Sequence, residues 1–151
     1  MIASTHDGRF HADEIFALAV LNLIFSDLKI VRSRDENVIK KADIIVDVGH
    51  AYDPEKLIFD HHQRSFTLKR KSGIPYASFG LVWGKYGQLL CGSSKTSEYI
   101  DSVIVQAIDA EDNGIDIYET KIDGVGFHTL SDIIESFVPD MSMMMIRYKG
   151  I

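Results

Sequence analysis

Two segments of the chain carry imidazoles and carboxylates at spacings suited to a metal. They are His6-Asp7-Gly8-Arg9-Phe10-His11-Ala12-Asp13-Glu14 near the start and Asp60-His61-His62-Gln63-Arg64 after an apolar run. Between them, Asp43-Ile44-Ile45-Val46-Asp47-Val48-Gly49 reads as a buried strand delivering a carboxylate at its end. Mixed nitrogen and oxygen donors suit divalent Mn, Fe or Zn, whereas Ca favours oxygen alone. The chemistry such a set could support is metal-assisted hydrolysis. Asp47 has two oxygens and could bridge a pair of cations about 3.5–4 Å apart, as two-metal hydrolases require. The competing reading is a strand-end Asp that caps the turn at Val48-Gly49. His6, His11 and Asp13 are weak signals one by one, since Asp13 would equally suit the first turn of a helix. Their joint occurrence is what points to a metal.

Neighbouring side chains at a strand end point in different directions. His61 is therefore expected on the metal and His62 toward a substrate phosphate, with Asp60 as an outer partner that orients an imidazole. His62 and Arg64 would neutralise charge building on the phosphate in the transition state. Asp109 and Asp112, three residues apart at a helix end, share roughly one face, and either could supply the last carboxylate. Lys69-Arg70-Lys71 either faces a phosphate or forms a solvated loop. Cys91, at the end of an apolar helix with no histidine nearby in sequence, reads as a buried thiol.

These residues need elements to position them. Ile2 to Thr5 fits a first central strand that releases His6 into a loop, and Ala12 to Ser26 a helix with a broad apolar stripe. Leu28 to Arg32 reads as a second strand, Glu36 to Lys41 as a short helix, Ala42 to Val48 as a third strand and Leu57 to Phe59 as a fourth. Pro75 would open a helix from about Tyr76 to Leu90, in which Gly80, Gly84 and Gly87 suggest close approach to a neighbouring backbone. Ser97 to about Asp112 and His128 to Phe137 complete the helices, the former ended by Asn113-Gly114. Alternating strands and helices predict an α/β fold, a mainly parallel open sheet with helices on both faces. Ligands in such folds gather beyond the carboxyl ends of the strands, where His6, Asp47 and Asp60 to His62 would all fall.

At 151 residues and 46% hydrophobic content, the chain is expected to form one domain, residues 1–151. Its longest apolar candidate, Ile15 to Phe25, falls short of the run of about 20 residues that a membrane span needs. The start carries no basic region followed by an apolar segment, so an intracellular, soluble protein without membrane partners is expected. One cysteine excludes an intramolecular disulfide and a cysteine zinc cage. The formal charge of -6 argues against a general nucleic-acid coat, although a carboxylate-built site inflates that figure.

The motifs His6-Asp7-Gly8-x-Phe10-His11-x-Asp13-Glu14, Val46-Asp47-Val48-Gly49, Tyr52-Asp53-Pro54, Phe59 to Phe66 and Asp109-Ala110-x-Asp112-Asn113-Gly114 resemble the Myg family of metal-dependent hydrolases, within the DHH phosphoesterase superfamily. The resemblance runs in order from Ile2 to about Pro139. It implies a DHH-type N-terminal α/β domain, two divalent metals of the Mn type with Mg, Zn or Fe as alternatives, and phosphodiester hydrolysis by a metal-activated water. The Myg branch implies 3′–5′ exonuclease activity on RNA or short oligonucleotides. Carried across by motif, one metal takes His6, His11 and Asp47, and the other takes Asp13, Asp47, His61 and either Asp109 or Asp112. The superfamily commonly has a carboxylate where His11 stands, so the first group here is richer in nitrogen. His50 stands where the family usually has a small residue. Myg-like proteins resemble two-domain enzymes in which a C-terminal domain closes over the cleft. This chain is expected to be without it, either as a naturally short member or as a fragment, and dimerisation is then one way to cover the crevice. Two further readings stand beside the exonuclease: a non-catalytic metal-binding module, and a pyrophosphatase-like enzyme.

Overall fold

The computed structural model describes residues 1–137. Five strands form one open sheet in the order β2-β1-β3-β5-β4. They are β1 (Ile2–Thr5), β2 (Lys29–Arg32), β3 (Ile44–Val46), β4 (Tyr52–Asp53) and β5 (Ile58–Phe59). β1, β2, β3 and β5 pair in parallel, and only the edge strand β4 runs antiparallel, against β5. The sheet is the α/β arrangement expected from the alternation of elements. β4 is an addition to the expected strands; a left-handed Leu57 at φ 59° ends the Pro54–Lys56 turn and folds Tyr52 back onto Phe59.

The register divides the sheet into two unlike faces. Ala3, Ile44, Val46 and Phe59 share one face through the pairs Ala3–Ile44 and Val46–Phe59, and all are fully buried. That face lies beneath α1 (Ala12–Ile24) and α3 (Ser78–Cys91), which supply Ala17, Leu21, Phe79 and Val82 to the same core. A fully buried Leu or Phe contributes about 1.5–3 kcal/mol, so this layer holds the strand ends in place. The opposite face, with Ile45 and Ile58 only partly covered, has the one-turn α2 (Glu36–Ile39) near it.

Gly92, at φ 63°, takes the left-handed position that terminates α3. Beyond it, α4 (Ser94–Ile100), a π-helical stretch (Asp101–Val105) and α5 (Gln106–Asp112) follow almost without a break, and α6 (Leu130–Ser136) ends the described region. The segment expected as one helix thus contains a wide turn at Asp101. Helix α3 starts at Ser78, not Tyr76, because the chain is still extended at Ala77, with φ -106° and ψ -176°, after Pro75 bridges to Lys69. Among the described residues no helix is long and apolar enough to cross a membrane. Pro139 and Met141 to Met145 lie outside the described residues.

Candidate metal centre

β1 ends at Thr5, and the chain turns so that His6 is 2% exposed. Its Nδ1 sits 2.9 Å from the Asp7 carbonyl oxygen, which makes that nitrogen the donor and turns Nε2 inward. Nε2 lies 3.2 Å from Asp47 Oδ2 and 3.7 Å from Glu14 Oε1. β3 delivers Asp47 in the left-handed region at φ 57°, a conformation costing a non-glycine residue about 1–3 kcal/mol. Such strain is stable only where the surroundings dictate it. His11 precedes α1, its ring 5.1 Å from that of His6. Ligand atoms of His6, His11, Glu14 and Asp47 all come within 4.8 Å of one another.

A second group forms beside the first. Asp13, His61 and Asp112 offer ligand atoms within the same 4.8 Å limit. His61 Nε2 is 3.1 Å from Asp112 Oδ2 and 3.4 Å from Asp47 Oδ1. Asp47 therefore presents Oδ2 to the first group and Oδ1 to the second. The Ser78 hydroxyl donates to Asp47 Oδ1 at 3.1 Å, and the Ser78 and Phe79 amides donate to the two oxygens of Asp13 at 3.1 and 2.7 Å. The first turn of α3 thus holds both carboxylates.

Asp60 is fully buried and accepts from the His50 and His62 amides and, at 2.7 Å, from His62 Nδ1. That contact orients the His62 ring, which is half exposed and also stands 3.5 Å from Asp47 Oδ1. Asp47, His61 and His62 form a further set of close ligand atoms. A cleft of about 90 Å³ opens over these groups, with Arg34 and His50 on its wall. Larger cavities of about 410 and 390 Å³ exist, the first sharing Arg34, Val48 and His50 with this cleft and the second lying against α3 and α4. Volume does not locate the chemistry here; the converging donors do. Arg64 is exposed and makes no side-chain hydrogen bond or ion pair among the described residues.

The electrostatics follow from packing acids and imidazoles together out of water. The Asp47 and Glu14 carboxylates raise His6 from 6.5 to about 10. Burial pulls His61 down, but Asp112 and Asp47 outweigh it and hold His61 at about 10. Burial would raise Asp47, yet His6 and His61 keep it below the usual carboxylate range. Asp13 is pushed well up by burial and by its neighbours Asp47, Asp112 and Asp109. Asp60 raises His62.

Three positions differ from what the sequence suggests. Asp109 and Asp112 part company: Asp112 faces His61, while Asp109 Oδ2 lies 2.6 Å from Arg70 Nη1 and its Oδ1 accepts from the Gly80 amide. Arg70 itself is neither a solvated residue nor a free phosphate ligand; at 9% exposure it is locked between Asp109 and Asp101, while Lys69 and Lys71 stay exposed. Glu14 joins the site without having been among its expected members. It is fully buried, accepts from the His11 amide at 2.8 Å and from Arg32 at 3.2 Å, and reaches toward His6. Its only sequence signal is its place in the first turn of α1, where an acid is expected on other grounds.

A divalent cation fits this set. Buried polar atoms normally find partners, yet among the described residues neither His6 Nε2 nor His61 Nε2 has a hydrogen-bond partner, although carboxylate oxygens stand close by. Imidazole nitrogens and carboxylate oxygens at these positions suit Mn, Fe or Zn.

The architecture is thus that of an α/β protein with an acid- and imidazole-lined site beyond its strand ends. The family model described as "Uncharacterised protein family (UPF0160)", MYG1_exonuc, matches residues 2–147, and the chain belongs to this Myg family. Similar relatives include the MYG1 protein of Dictyostelium discoideum, 42% identical over 132 residues, covering 78% of this chain and 40% of the relative. The human MYG1 exonuclease is 39% identical over 131 residues, covering 74% of this chain and 35% of its own length. The MYG1 protein C694.04c of Schizosaccharomyces pombe is 38% identical over 154 residues, covering 90% and 47%. The chain therefore spans less than half the length of these relatives. No solved structure matches it.

Proposed function

We propose that this chain is a metal-dependent phosphodiester hydrolase, exonuclease-like, acting on RNA or short oligonucleotides with two divalent ions, Mn foremost. The observation that carries this reading is a pair of adjacent ligand groups, His6, His11, Glu14 and Asp47 in one and Asp13, His61 and Asp112 in the other, with Asp47 Oδ1 3.4 Å from His61 Nε2 and a partnerless imidazole nitrogen in each group. His6, His11 and Asp47 would hold one ion and Asp13, Asp47, His61 and Asp112 the other. Bound ions supply Lewis acidity toward a phosphoryl oxygen and lower the pKa of water toward neutrality. Names of relatives such as the human MYG1 exonuclease support the same class.

The chain's own residues then have distinct tasks. Asp47 links the two groups through its separate oxygens. Asp60 fixes the His62 ring on the cleft wall, where it can donate to a phosphate oxygen and offset charge in the transition state. Arg34, on the same wall, adds a cation for a neighbouring phosphate. Glu14 ties the loop bearing His6 and His11 to α1 through the His11 amide.

The test is a panel of end-labelled RNA, a dinucleotide and pyrophosphate incubated with Mn²⁺ and the protein. Stepwise shortening of RNA from one end, abolished in Asp13→Asn and His61→Ala, is the expected result. Cleavage of pyrophosphate alone would make it a phosphoanhydride hydrolase, and stoichiometric Mn²⁺ without any cleavage a binding module.

A further inference from the structure

The first turn of α3 holds Asp13 with backbone amides, and something must hold that turn. A helix start leaves its first amides without intrahelical partners. Here the N-cap position is Ala77, which has no side chain able to accept them. Two buried aspartates do so instead. Asp13 takes the Ser78 and Phe79 amides, and Asp109 takes the Gly80 amide at 3.0 Å.

Asp109 is fully buried and would be costly to keep charged alone. Arg70 supplies the counter-charge at 2.6 Å. The guanidinium is itself immobilised: Nε and Nη2 reach Asp101 at 3.0 and 2.8 Å, and its plane lies 4.0 Å over the Tyr76 ring. Gln106 in turn donates to Asp101 at 2.8 Å. There is no slack between this pair and the helix, since a Cβ on Gly80 would overlap Asp109 Oδ2 and stand 2.6 Å from Arg70 Nη2. A guanidinium has donors and no acceptor, so Arg70 has no atom to offer a cation and acts through its partners.

We infer that Arg70 is a positioning residue for the second metal group: by pinning Asp109 against the first turn of α3, it fixes the amides that aim Asp13. The inference rests on the two-metal reading proposed above. It assigns a function to a cation in the middle of a basic run whose neighbours, Lys69 and Lys71, are exposed. It also bears unequally on the two groups: His6, His11 and Glu14 share no hydrogen bond or ion pair with Arg70 or Asp109 among the described residues, and the Ser78 hydroxyl of the same turn reaches Asp47 at Oδ1, the oxygen on the His61 side, not at Oδ2 beside His6.

Mn²⁺ titration of the full chain by calorimetry, with electron paramagnetic resonance as a second readout, tests this. Wild type is expected to bind two ions in a spin-coupled pair. Arg70→Met should keep the first ion at wild-type affinity and bind the second about 10–100-fold more weakly, the usual scale for an outer partner of a ligand. Its resonance spectrum should revert to that of an isolated ion. Arg70→Lys restores the cation against Asp109 without the fork to Asp101 and should recover part of the loss. If Arg70→Met does not fold, Asp101→Asn, at a partly exposed position, is the deciding variant, with a severalfold loss confined to the second ion. Unchanged binding of both ions in the folded variants, equal weakening of both, or an Arg70→Lys protein no better than Arg70→Met overturns the inference. A wild-type protein that binds fewer than two ions instead overturns the two-metal reading beneath it.

Discussion

Asp109 and Asp112 stand one helical turn apart on α5, yet they belong to different worlds. Asp112 keeps some exposure and faces His61 across 3.1 Å. Asp109 is sealed inside, paired with Arg70 and hydrogen-bonded to α3. Burial pushes Asp109 up to about 6 despite the guanidinium beside it. Two identical side chains on nearly the same face thus serve as a candidate ligand and as a brace. The difference lies in what the opposite element presents: an imidazole over one acid and a guanidinium over the other. In this molecule a carboxylate's task is set by its partner across the fold, not by its position in a motif.

The largest effect is expected at Asp47, whose two oxygens face His6 of the first group and His61 of the second. Asp47→Asn should eliminate two-metal occupancy and turnover together, with a loss exceeding the about 100-fold upper range seen for outer-shell changes. Full activity with two bound ions in that variant would refute the shared role.

Under the proposed two-metal reading, protons would compete with the ions for the His6 and His61 nitrogens. In the metal-free protein His6 and His61 are both raised to about 10. The stability they lend is therefore complete below their ordinary value of 6.5 and lost as pH rises through about 10. Metal must displace these protons, so apparent Mn²⁺ affinity should climb between pH 6 and about 9, by about tenfold per pH unit for each proton released. Calorimetry in buffers of different ionisation enthalpy counts the protons directly. Thermal melts should show the metal-free protein weakening toward alkaline pH and Mn²⁺ restoring it. Affinity independent of pH over this range would contradict the assignment of these imidazoles.

Glu14 offers a smaller, local effect. Glu14→Ala leaves the His11 amide without its acceptor, which should cost about 1–3 kcal/mol in denaturant unfolding and weaken the His6 and His11 ion more than its neighbour. A loss confined to the second ion would argue that Glu14 has been assigned to the wrong group.

The glycines of α3 supply the finest comparison. Gly80→Ala drives a methyl into Asp109 and Arg70, and overpacking of this kind costs about 1–3 kcal/mol. Gly84, one turn on, is exposed, and a methyl added there would meet nothing within 4 Å, so Gly84→Ala should be neutral or stabilising by up to about 1 kcal/mol. Equal effects at the two sites would remove the case for a tight contact at the Arg70 pair.

Residue type and local period are what the sequence makes legible. The apolar run at Ile44 to Val46 and the existence of the first helix follow directly from the sequence, and with them the crevice beyond the strand ends. The imidazoles and acids of the site can be named for the same reason. The stripe that helical spacing suggests through Ile15, Leu18, Ala19, Asn22 and Leu23 is not the buried face: Ala19, Asn22 and Leu23 are exposed, and Ala17, Leu18 and Leu21 pack inward. Choice of partner is not legible, because it depends on contacts far apart in the chain. Asp13 meets Ser78 and Phe79 across more than sixty residues, and Arg70 meets Asp109 across thirty-nine. Nothing local distinguishes Arg70 from Lys69 or Lys71, and Glu14 at a helix start looks like any acid in a first turn. The π turn at Asp101 leaves no mark in the sequence because an inserted residue keeps the surrounding composition fully helical.

We take Asp47 to join two groups of ligand atoms that each hold an ion. A crystal of the protein grown with Mn²⁺, with data collected at the manganese edge, tests it most directly. Two anomalous peaks are expected, one against His6 and His11 and one against Asp13, His61 and Asp112, with Asp47 touching both. A single peak, or manganese bound elsewhere while these side chains stay empty, would contradict it.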